Sequence, residues 1–332
     1  MHAMKKTMLA AAAALGATVA CAADVTVYGL VDYGLMYTGT DNGSNTSHVT
    51  EMTSGKNLGS RFGFKGSEDL GNGVKVGFIL ENGFSADTGA LPANGKLFDR
   101  ESTIYLEGDF GNLKFGRMTR LTGSTGSSCI YAGNIAPIST GYGDSIPGYN
   151  AVFAGNLLRY DNVAMYTTPD FAGLKLYLQY SGGYDIDEDE GEVENQSSAN
   201  RFYALGMSYK NGPFNMAGAV ERFNWKSYNL TADERELDDG LVVSAGGAYD
   251  FQVVKYFLMG VYFDHMPLSM DFFGDENKLT NGGIQNKDLQ GFGINTGINA
   301  PVLGGNLRLS LTYMNYWNRV QSEVVADDLF CE

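Results

Sequence analysis

The sequence predicts an all-β protein, an antiparallel barrel that crosses a membrane on its strands. Three observations carry that expectation. Apolar and polar residues alternate with period two along stretch after stretch. The breaks between these stretches are mostly short and long in turn. No run after the leader stays apolar for the roughly 18 residues that a membrane helix needs, whereas a barrel crosses on short alternating strands. Composition agrees: 44 glycines, 20 tyrosines and 19 phenylalanines stand against 7 prolines in 332 residues, a usage that favours strands and tight turns.

The chain opens with Lys5-Lys6 and the run MLAAAAALGATVACAA. A basic start, an apolar stretch and the small-x-small tripeptide Ala20-Cys21-Ala22 make residues 1–22 a secretory signal peptide, with the exported chain, 23–332, starting at Ala23. Acylation of Cys21 is the alternative, disfavoured by Thr18 where a branched aliphatic residue is wanted. Losing Lys5 and Lys6 takes the net charge from −15 to −17. So acidic a chain is a poor partner for nucleic acid, which needs a basic patch. Cys129 and Cys331 remain. An oxidising compartment allows them to bridge, but two thiols make no disulfide framework.

The strands follow in order. In VTVYGLVDYGLMYTG (25–39) the odd positions are mostly apolar. In SRFGFKGSEDLGNGVKVGF (60–78), Arg61, Gly63, Lys65, Ser67 and Asp69 share one face, with Phe62 and Phe64 on the other. After the turn Gly71-Asn72-Gly73, Val74, Val76 and Phe78 oppose Lys75 and Gly77. Leu174, Leu176, Leu178 and Tyr180 alternate with Lys175, Tyr177 and Gln179, and Leu307, Leu309, Leu311 and Tyr313 with Arg308, Ser310 and Thr312. Short breaks hold Gly and Asn: LGNG (70–73), GDFGN (108–112), KNGP (210–213) and APVLGGN (300–306). Long breaks are polar: 39–56, 85–97, 119–157, 185–199, 227–238 and 265–286. An outer-membrane barrel needs that asymmetry, and a soluble sandwich does not.

The acids gather in the long breaks, seven of ten residues in DIDEDEGEVE (185–194) and five of seven in DERELDD (233–239). They read as solvated loop tips, since no calcium-loop spacing accompanies them. Catalysis finds no support. The histidines are His2, in the leader, and His48 and His265, in long breaks. There is no G-x-S-x-G, no H-E-x-x-H and no metal-spaced pair. Neither an enzyme nor a cofactor is expected.

Three stretches together resemble the general porins of Gram-negative outer membranes, in the branch typical of neisserial and burkholderial bacteria. They are SRFGFKGSEDLGNGVKVGFILENGF (60–84), LFDRESTIYLEGDFGNLKFGR (97–117) and LLRYDNVAMYTTPDFAGL (157–174). TVYGLVDYGL (26–35) resembles the family's first strand. The resemblance implies a 16-stranded homotrimeric barrel in the outer membrane, a passive channel for ions and small hydrophilic solutes. Its break 119–157 is implied to fold inward and narrow the pore.

The resemblance also implies an arginine-lined constriction, with Arg61, Arg100 and Arg159 at the matching positions. Parity supports Arg61, whose face is uniformly polar. It gives no such support to Arg100, in step with Ile104 and Leu106, or to Arg159, in step with Val163 and Met165. Glu81, on the face of Lys75, is a partner through which these arginines would brace the wall instead. Asp144 is the expected acid on the facing loop. Only about 13 strand-like stretches are countable, and EVVADDLFCE (323–332) reads as a loop where the family ends on an aromatic strand. The expectation is that about three C-terminal strands are missing. Two other functions fit less well: a selective channel whose arginines bind carboxylates or phosphate, and a surface adhesin without a useful pore.

Overall fold

The computed structural model describes residues 24–41, 46–55, 58–91, 96–123, 125–131, 134–136, 159–185, 193–226, 238–266 and 288–318. The leader, Asp144, Cys331 and most of both acidic tracts lie outside the described residues. Among the described residues every element is a strand. The first eight are β1 (Asp24–Leu30), β2 (Tyr33–Asp41), β3 (Thr46–Ser54), β4 (Arg61–Gly71), β5 (Val74–Gly83), β6 (Glu101–Gly108), β7 (Gly111–Thr119) and β8 (Arg159–Thr167). Then come β9 (Leu174–Ser181), β10 (Arg201–Asn211), β11 (Phe214–Asn224), β12 (Gly240–Asp250), β13 (Lys255–Met266), β14 (Leu289–Val302) and β15 (Gly305–Asn318).

Thirteen strands form one antiparallel sheet, β1 followed by β4 to β15 in chain order. Its edge strands β1 and β15 are not paired with each other among the described residues. Connections at one end are tight, such as Asn72 between β4 and β5, where φ is 52° and the flanking glycines take positive φ at no steric cost. Those at the other end are long, as the sequence predicts.

Two stretches differ from the sequence reading. Residues 25–39 are not one strand, because the chain leaves the sheet at Val31-Asp32. Asp32 anchors that corner: its carboxylate accepts the Leu58 N–H at 2.6 Å, and its carbonyl accepts from Gly55 N at 3.0 Å. The break 39–56 is likewise no irregular loop, since β2 and β3 pair along it as a separate hairpin.

One face of the large sheet is bare and apolar, with Val27, Ile104, Phe115, Leu178, Leu205, Val243 and Leu309 exposed. Aromatics mark both ends of that face, Phe171, Phe214 and Tyr256 toward the tight turns and Tyr180, Tyr203 and Trp317 toward the long connections. Such girdles bracket the band that contacts lipid. Part of the other face is covered by residues 120–123, 125–131 and 134–136. Leu121, Ile130, Tyr131 and Ile135 are buried there in one cluster with Phe202, Phe223, Val242, Met259 and Phe263. Alternation of apolar-out and polar-in therefore holds for β4 and β5 but not for β10 to β13, whose covered face is apolar too.

The covering segment also shows that the sheet curls. Ser127 donates to Glu101 of β6 at 2.6 Å, while Tyr131 meets Ser244 of β12 at 2.8 Å. In a flat sheet β6 and β12 lie about 29 Å apart, six spacings of about 4.8 Å. Four residues span at most about 14 Å. Curvature and the reach of the side chains make up the difference. A bulge in β8, where Asp161 and Asn162 stand against the single residue Arg117, adds bend. Gly116 has φ of 122°, and a Cβ there would collide with the Ser102 carbonyl. Gly116→Ala should cost a few kcal/mol, read as an earlier urea midpoint in lipid vesicles.

Candidate pore constriction

Glu81 organises a cluster on the covered face. It is in register with Gly63, which is in register with Tyr28. Gly63 is needed there: a Cβ would sit 2.8 Å from the Tyr28 hydroxyl and 2.6 Å from the Leu80 carbonyl. Tyr28 thus reaches across β4 and donates to Glu81 Oε2 at 3.0 Å. Arg100 Nε donates to Glu81 Oε1 at 2.7 Å, and Arg61 Nε stands 3.7 Å from Oε2. Arg100 lies one residue before β6, so the strand parity that counted against it does not reach it. Its side chain runs between Gly59 and Gly83, close to where each would carry a Cβ.

Arg159 begins β8 and donates through a terminal nitrogen to Thr125 of the covering segment at 3.1 Å. Its buried Nε has no hydrogen-bond partner among the described residues. Arg100, Asp99, Arg117 and Glu81 are near enough to act on it electrostatically. Three of the residues singled out from the sequence, Arg61, Arg100 and Glu81, are therefore in direct contact. Arg159 adjoins them, and Asp144 lies outside the described residues.

Sequence reading missed the charges that adjoin this cluster. Arg117 donates to the Asp99 carbonyl at 2.7 Å and to Asp161 Oδ1 at 2.6 Å, and Lys96 donates to Asp161 Oδ2 at 2.7 Å. Asp99 Oδ1 accepts the Gly83 N–H at 2.7 Å. By register Arg117 falls on the Ser102–Ile104 side of the sheet, opposite to Glu81. Around Glu81 the covered face therefore sets the cations Arg61, Arg100 and Arg159 against the carboxylates Glu81 and Asp99, an excess of one. Close ion pairing does not cancel that excess. Glu81→Gln should release Arg61 and Arg100 from their shared carboxylate and strengthen preference for anions, measured as a shift in reversal potential across a KCl gradient. No shift would mean that these charges do not act on passing ions.

The second missed feature holds the covering segment down. Arg120 Nη1 lies 3.4 Å from Glu221 Oε2, at 2% and 0% side-chain exposure. Thr122 Oγ1 donates into the same carboxylate, 2.9 and 2.8 Å from its two oxygens. Gln179 accepts the Leu121 N–H at 3.1 Å and donates to the Thr119 carbonyl at 3.0 Å. Burial pushes the Tyr131 phenol above its ordinary range, so it stays protonated against Ser244. Glu221 carried a signal in the sequence, as the one acid among Ala217, Ala219 and Phe223 on its face.

The sequence model that defines Gram-negative porins matches residues 9–328. The chain belongs to that family. This porin is 31% identical to an outer membrane porin protein of Bordetella pertussis, over 98% of its own length and 87% of the relative's. It is 32% identical to outer membrane porin protein 32 of Delftia acidovorans, over 76% of its length and 68% of that protein's. Its fold matches the solved anion-selective porin from Comamonas acidovorans with a TM-score of 0.61 at 23% identity, covering 89% of this chain and 79% of that one. Its place is the outer membrane. The bare apolar face therefore meets lipid, and the covered face lines the lumen.

Proposed function

We propose that this porin assembles as a homotrimer and forms a water-filled channel through which ions and small hydrophilic solutes diffuse passively. Residues 119–157 narrow the channel, and Arg61, Arg100 and Arg159 face Asp144 at its narrowest part. The observation that carries this is the cationic cluster on the lumen face, beside the point where the covering segment docks. Charges held in a narrow lumen between low-dielectric walls act on every passing ion, as charged rings do in selective pores. The relative named anion-selective agrees with the sign. The test is planar-bilayer conductance over rising KCl. A passive channel conducts in proportion to salt, whereas conductance that saturates with added phosphate or dicarboxylate would make the arginines a binding site.

A further inference from the structure

The lipid-facing surface carries a built groove. It is a cavity of about 630 Å³ on the bare face of β7 to β11, lined by Phe115, Ala164, Tyr166, Leu178, Leu205 and Arg222 among others. Register explains its shape. Phe115, Ala164, Tyr180, Tyr203 and Arg222 form one lateral row across five strands. The next row toward the tight turns is Leu113, Tyr166, Leu178, Leu205 and Val220. Ala164, small among large neighbours, leaves the hollow. Arg222 is the one charged residue of its lining, and it stands two residues from the end of β11 on the side of the long connections.

Arg222 is 56% exposed and makes one ion pair, with Asp239 at 3.1 Å. The other oxygen of Asp239 accepts from Asn224 at 2.6 Å. No further hydrogen bond of the Arg222 guanidinium is found among the described residues, so most of its five donors are free. Arg201, on the same face and nearer the loops, is different: it is committed to the carbonyls of Asn195 and Gln196 at 3.2 and 2.8 Å.

We propose that this groove holds one acyl chain of a phosphorylated lipid of the loop-side leaflet, with Arg222 on its phosphate. An arginine beside an apolar surface keeps its stem in hydrocarbon and its head at the polar boundary. Its planar fork suits a phosphate, and Asp239 fixes its orientation from behind. A second copy of the barrel fits less well. Its wall is convex, it leaves a hollow at Ala164 empty, and it would strip water from an exposed guanidinium.

The test is native mass spectrometry of the intact porin released from nanodiscs that contain diphosphoryl lipid A. Retention of one lipid per protomer is expected in the wild type. Arg222→Gln should cut retention about fivefold, the weight of one cation at an anionic surface. Ala164→Phe, which fills the hollow and leaves the charge, should cut it comparably. Equal retention in either variant, or equal retention of a phosphate-free lipid, overturns the proposal. So does efficient disulfide linkage between subunits of a Leu178→Cys variant, because a second copy then covers the groove.

Discussion

Glu221→Leu should weaken this porin more than any other single change described above, and should open its lumen at the same time. The substitution removes the carboxylate that both Arg120 and Thr122 address. Breaking a buried ion pair from one side costs about 3–5 kcal/mol, mostly because the remaining charge stays buried. Arg120 is 2% exposed and has nowhere nearby to go. Urea unfolding in vesicles, followed through the buried Trp225, should shift to lower denaturant. Single-channel records should show larger and noisier currents as residues 120–136 leave the wall. The double variant Arg120→Met with Glu221→Leu separates the two effects. Replacing both partners with apolar residues is often neutral or stabilising, so the urea midpoint should recover. Quiet wild-type currents in the single variant would show that the apolar contacts of Leu121 and Ile135 hold the segment unaided.

Neutralising Arg61, Arg100 and Arg159 together, each to Gln, should move the reversal potential in molar KCl toward cations. The sign follows from the count on the lumen face. Removing all three cations leaves Glu81 and Asp99 in place, so the excess changes sign. Arg159 should contribute strongly, because it alone of the three is not paired with Glu81. Arg61 and Arg100 act partly as braces, and their loss exposes Glu81 as a free carboxylate. A triple variant with unchanged reversal potential would remove these residues from the constriction.

Much of the fold was legible because a strand's side chains alternate strictly. Arg61, Gly63 and Lys65 could be placed on one face from spacing alone, and the alternation of tight and long connections followed from where Gly and Asn cluster. Arg100 was not legible by parity, since it precedes its strand and its side chain runs between Gly59 and Gly83. The docked segment was hidden for a different reason. FYALGM (202–207) and YFLMGVYF (256–263) are apolar on both faces, a pattern that belongs to strands buried on two sides. That was the available signal that something covers the lumen face of β10 and β13. The Arg120–Glu221 link joins residues far apart in the chain, and no local pattern reports such a pair.

The wild-type reversal potential, taken across a KCl gradient in roughly molar and roughly 10 mM baths, tests the central claim most directly. Screening lengths are about 3 Å in the first bath and about 30 Å in the second. In molar salt only charges at the narrowest point reach a passing ion, and the arginine cluster predicts weak preference for anions. In dilute salt the acidic long connections act as well, and the preference should drift toward cations. Cation preference in molar salt, unchanged on dilution, would contradict a constriction lined by Arg61, Arg100 and Arg159.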